Sequence, residues 1–96
     1  MRHYFISNVY VPANALGMER KLAEVAKPYE DHVLSENAMS DLAEKIDNEQ
    51  AKILSENKRL RPVDIHLELN NSYLNRFTVG NVTISFREVQ GTFYSI

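Results

Sequence analysis

A two-layer α+β domain is the fold class this sequence predicts, with helices covering one face of an antiparallel sheet. Three observations carry that expectation. A long helical stripe of apolar residues follows Ser35. A strictly alternating segment follows Pro62. A Gly80-Asn81 pair then sits between two runs rich in β-branched and aromatic residues. The expected order is β-α-α-β-β, with a further strand at the C-terminal end. The sheet then has three to four strands, packed on one long amphipathic helix and a shorter one.

The first element, Arg2 to Val11, reads as a strand because Tyr, Phe, Ile and Val pack well on a pleated surface. Simple alternation places Phe5, Val9 and Val11 on one face and Tyr4, Ile6 and Tyr10 on the other. Both faces are apolar, as expected of a central strand or of one whose outer face meets a partner. Pro12-Ala13-Asn14 ends it, with Asn14 as a helix cap. Met18, Leu22, Val25 and Ala26 then recur at helical spacing. Pro28 interrupts that helix, and a kink or short helical turn is expected from Pro28 to Leu34.

Ser35 suits an N-cap and Glu36 a first turn. Met39, Leu42, Ala43, Ile46, Ile53 and Leu60 fall within a sector of about 100°, completed by Gln50 and Asn57. Asp41, Glu44, Lys45, Asp47, Asn48 and Lys52 lie opposite. The helix is expected to end near Arg59, ahead of Pro62. From Val63 to Asn70, Val63, Ile65, Leu67 and Leu69 share one face, and Asp64, His66, Glu68 and Asn70 the other. Asn70-Asn71-Ser72 signals a turn. Phe77–Val79, Gly80-Asn81 and Val82–Val89 read as a hairpin, with Thr92–Ile96 as a terminal strand. The segment from Leu74 to Val79 fits either strand or loop. The predicted core sets Phe5, Val9, Ile65, Leu67, Ile84 and Phe86 against Met39, Leu42, Ile46 and Ile53.

Composition narrows the function classes. The chain has 96 residues, no cysteine and a formal charge of −2. It therefore has no disulfide, thiolate-zinc or thiol-nucleophile chemistry. Its three glycines stand far apart, so no glycine-rich phosphate loop exists. One domain spanning 1–96 is expected, in the cytoplasm and away from membranes, with no cofactor and no metal. The sequons at Asn70 and Asn81 read as coincidence.

Five groups of residues could carry chemistry. Asp64, His66 and Glu68 project from one strand face, where a metal or a base could use them. Glu30-Asp31-His32 is ligand-like in type, although consecutive helical residues diverge. Lys58, Arg59 and Arg61 suit phosphate contacts, and equally the negative end of the long helix. Between Met18 and Gln50, nine acids face four bases. The i,i+4 pairs Arg20–Glu24, Asp41–Lys45 and Lys45–Glu49 account for part of that as an ordinary exposed helix. The fifth group is the tyrosine-bearing strand face.

The reading that follows is a small non-catalytic protein-binding module. Tyr4, Ile6 and Tyr10 form its apolar centre, and Asp41, Glu44 and Asp47 on the acidic helix set orientation and encounter rate. A homodimer through the tyrosine face is the least costly version. The alternative is an acidic inhibitor of a nucleic-acid-handling enzyme. A small metal-dependent enzyme and a direct nucleic-acid binder rank lower, the latter because the chain is acidic overall.

Overall fold

The computed structural model describes residues 1–69 and 75–90. The fold is α+β: a curled antiparallel sheet packed against two helices. In chain order the elements are β1 (His3–Tyr10), α1 (Gly17–Ala26), a 3₁₀ turn (Lys27–Tyr29), β2 (Val33–Ser35), α2 (Glu36–Glu56), β3 (Ile65–Glu68), β4 (Arg76–Val79) and β5 (Val82–Val89). The sheet order is β2-β1-β5-β4-β3, antiparallel throughout. The expected Asn70-Asn71-Ser72 turn and the Thr92–Ile96 strand lie outside the described residues.

The long helix forms as its stripe predicts. Ser35 Oγ accepts the Ala38 amide at 3.1 Å, and Met39, Leu42, Ile46 and Ile53 are buried. Gln50, the polar residue in that stripe, is buried too. Its Oε1 accepts the Val63 amide at 2.8 Å and ties the chain leaving α2 back to the helix. A buried amide costs free energy unless it is hydrogen-bonded, and this bond supplies the partner.

Two local expectations are corrected. Helix α1 begins after Leu16, so Asn14 is not its cap. Glu19 takes that role from inside the first turn, accepting the Leu16 amide at 2.7 Å. The short helical turn expected at Pro28 is present but ends at Tyr29, and the chain beyond it is extended. Val33–Ser35 forms β2, pairing Leu34 with Tyr4 at the edge of the sheet. Among the described residues the sheet thus has five strands, one more than the larger number expected.

The main correction concerns the parity of β1. Tyr4 and Ile6 are fully buried at 0% exposure, whereas Phe5 lies half-buried on the opposite face. Val9 is nevertheless in the core with them. A bulge reconciles the two: Ile6 pairs with Phe86, but Asn8 pairs with Ser85, so Ser7 is an extra residue. One inserted residue flips every later side chain to the other face. Tyr4 and Ile6 before the bulge and Val9 after it therefore all point at the helices.

Strands β3 and β5 keep the expected parity, and Arg76–Val79, whose sequence fits strand or loop, is the strand β4. Phe77, Val79, Val82 and Ile84 are buried, and Ile65, Leu67 and Phe86 pack partly buried against them. The Tyr4 and Phe86 rings meet edge to face, 5.6 Å between centroids. The β4–β5 turn has Gly80 at φ +59° as its first central residue. That is the conformation a type II′ hairpin turn requires and glycine adopts without strain.

Candidate functional site: the open sheet face

The sequence places three kinds of candidate group, and the fold sorts them. Tyr4 and Ile6 are not a binding face. They are core residues, and the Tyr4 hydroxyl donates to the Leu69 carbonyl at 3.4 Å. Of the expected apolar centre, Tyr10 alone reaches solvent, at 55% exposure. Asp41, Glu44 and Asp47 are exposed on α2, on the side turned away from the sheet. Tyr10 and this acidic stripe thus occupy opposite sides of the two-layer domain, and one flat partner cannot cover both. The expected Lys45 pairs give way to another contact. Lys45 Nζ reaches the Tyr29 hydroxyl at 3.1 Å and lies 5.7 Å from that ring's centre.

Glu30-Asp31-His32 is structural. Backbone bonds join Ile6 N–H to the His32 carbonyl and Asp31 N–H to the Ile6 carbonyl, with Asp31 at φ +65°. Glu30 Oε2 accepts the Val9 amide at 2.7 Å, just past the bulge where β2 has ended. The acidic triplet therefore completes the open edge of β1. The Val9 amide, with Lys27 beside it, holds the Glu30 carboxyl below its ordinary range. A depressed folded value means the contribution is present above the unfolded value and fades as pH falls through the folded one. The stability gap between the native chain and Glu30→Gln is therefore expected to be widest near neutral pH. It should close on acidification, as read by urea denaturation at a series of pH values. A gap constant across that series would contradict this role.

Asp64, His66 and Glu68 do not form a metal centre. Among the described residues, no three His, Asp or Glu side chains are placed to hold an ion. His66 Nε2 instead meets Glu68 Oε1 at 3.1 Å on the edge strand β3. Lys58, Arg59 and Arg61 are exposed in the loop after α2. Arg59 and Arg61 border a shallow groove of about 280 Å³ with Leu16 and Met18.

What remains is a surface that the helices leave open. Because Tyr4, Ile6 and Val9 face inward, their neighbours face outward. Cross-strand register sets Val33, Phe5 and Arg87 in one row. A second row runs Tyr10, Thr83, Thr78 and His66 across four strands. Asn8 and Ser85 lie between them. Val33 is 45% exposed, and the Arg87 guanidinium sits 5.0 Å from the Phe5 ring centre. Simple alternation assigns Phe5 to the core and so hides this pair. The signal available was Ser7-Asn8, two consecutive polar residues in an apolar strand, which marks a break in the alternation.

No protein-family model, curated protein or solved structure matches this chain. No helix among the described residues is long and apolar enough to cross a membrane. The class defined so far is thus a two-layer α+β domain in which, among the described residues, the helices cover one sheet face and not the other.

Proposed function

We propose that the chain is a small non-catalytic binding module whose working surface is the open sheet face, centred on Phe5, Tyr10 and Arg87. The observation that supports this is the exposure of aromatic and aliphatic side chains on a central strand and its neighbour. Tyr10 and Val33 are each about half exposed, on a face that also carries Phe5, Arg87, His66, Asn8, Thr78, Thr83 and Ser85. Aromatic residues and arginine are the types that concentrate binding energy at interfaces. Threonine and serine around them add hydrogen-bonding groups at little entropic cost.

Site-specific photo-crosslinking tests the reading in the cells that make the protein. A photoreactive phenylalanine analogue is placed at Tyr10 in one variant and at Asp47, on the far side of α2, in another. Adducts are expected from position 10 and not from position 47. Adducts from position 47 alone would move the working surface to the acidic helix. That result would favour the alternative of an inhibitor that offers its acids to a basic groove.

A further inference from the structure

We infer that the Glu30–His32 segment is a latch over the outer edge of β1, and that opening it lets two copies of the chain join edge to edge through that strand. The surface concerned is the strand edge, not the open face. β2 pairs only with His3–Phe5, while β1 runs on to Tyr10. Beyond Phe5 the edge is held by the segment that precedes β2. Ile6 N–H donates to the His32 carbonyl at 3.0 Å, Asp31 N–H to the Ile6 carbonyl at 2.7 Å, and Val9 N–H to Glu30 Oε2 at 2.7 Å. In the last bond a side chain stands where a neighbouring strand would offer a carbonyl. An incoming strand can make the same bond from its backbone.

The hold is local. The covering segment turns away from β1 at Asp31, which at φ +65° is the one non-glycine in the left-handed region among the described residues. L-residues adopt that region at a cost. Past it, contact with Val9 depends on one carboxylate, which Lys27 Nζ also approaches at 3.3 Å. Glu30, Asp31 and His32 bring no apolar side chain to seal the edge, and Asp31 and His32 are exposed.

The sequence identifies the occupant. From Tyr4 to Met18 no residue is charged, and Tyr4–Val11 holds neither glycine nor proline. Uncharged, β-forming stretches of about six or more residues are the ones that pair with copies of themselves. Whatever the register, two such edges meet without opposing like charges. The other edge of the sheet is built differently. β3 is four residues long and carries His66 and Glu68, and charges on a short edge strand oppose pairing. β1 has no aspartate, glutamate, lysine or arginine of its own, so its protection falls to the segment that covers it.

The test is molecular mass by sedimentation across a concentration series at neutral pH, with amide exchange at Val9 read by NMR on the same samples. Glu30→Ala removes the carboxylate. Asp31→Pro removes an N–H donor and cannot adopt a positive φ. Asp31→Gly keeps both the donor and the left-handed turn. The first two are expected to pass from monomer to dimer with rising concentration. Their dissociation constant should lie about tenfold or more below that of the native chain, the scale of one hydrogen bond. Asp31→Gly should behave as the native chain does. In Glu30→Ala the Val9 amide should exchange quickly when dilute and become protected as the dimer forms, because a partner carbonyl replaces Glu30. Adding Asn8→Lys, at an exposed position of β1, should restore the monomer. Adding Thr83→Lys, on the open face of β5, should not.

Three results would overturn the inference. One is that Glu30→Ala and Asp31→Pro, each with native circular dichroism, dimerise no more than the native chain; where Asp31→Pro fails to fold, Glu30→Ala decides alone. Another is dimerisation without renewed protection at Val9. The third is a dimer that Thr83→Lys abolishes, which places the contact on the sheet face.

Discussion

Tyr4→Ala is expected to destabilise the fold by about 3–5 kcal/mol, the usual range for truncating a large buried aromatic side chain. Tyr10→Ala, six residues along the same strand, should change stability by no more than about 0.5 kcal/mol, as surface substitutions do. The contrast follows from the bulge at Ser7. Tyr4 is wholly buried, packs edge to face on Phe86 and hydrogen-bonds to Leu69. Tyr10 stands beside Thr83 on the open face. Uninterrupted alternation would give both tyrosines the same environment and similar costs. Urea denaturation of the two variants decides between these arrangements. Equal losses would mean that β1 has no bulge and that its faces are those of simple alternation.

The same strand shows where the sequence is legible and where it is not. The helix after Ser35 and the inward faces of β3 and β5 follow from periodicity, and the hairpin from the Gly80-Asn81 turn signal between two strand-forming runs. In each, one face is apolar and the other polar, so only one orientation buries the apolar side. Strand β1 lacks that contrast, because Tyr4, Phe5 and Ile6 are consecutive apolar residues. Its parity is set by tertiary partners: α2 beneath it, and the Glu30-Asp31-His32 segment that closes its edge. Those partners lie more than twenty residues away, beyond the reach of a local pattern. The candidate site suffered directly. Alternation leaves Tyr10 on an outer face, where the structure has it exposed, but it exchanges Tyr4 and Ile6 with Phe5, and the Arg87–Phe5 contact depends on the cross-strand register. The acidic residues on α2 were placed correctly on its solvent face, but only the layer order shows that this face points away from the sheet.

Glu19 presents a further case, with the second large expected effect. Composition counts it among the surface acids, yet it is 2% exposed. Its Oε1 accepts the Leu16 amide at 2.7 Å and its Oε2 the Asn81 amide at 2.6 Å. One carboxylate thus satisfies an N-terminal amide of α1 and fastens the β4–β5 turn beneath the helix. A negative charge is also favoured at a helix N-terminus. Glu19→Ala is expected to cost about 2–3 kcal/mol, since two amides lose their acceptor. Gly80 abuts the same carboxylate: a Cβ there would overlap it, and φ +59° is strained for any side chain. Gly80→Ala therefore carries two separable costs. The left-handed backbone alone amounts to about 1–2 kcal/mol, and displacement of Glu19 from Asn81 adds to it. In the Glu19→Ala background only the backbone part remains. The double variant should thus be more stable than the sum of the single losses predicts, by about 1 kcal/mol, as coupled neighbours usually show. Thermal or urea denaturation of the four proteins measures that coupling. Additivity within about 0.3–0.5 kcal/mol would show that the carboxylate and the turn act independently. Observed coupling would establish Glu19 as the contact that fastens the β4–β5 hairpin to α1.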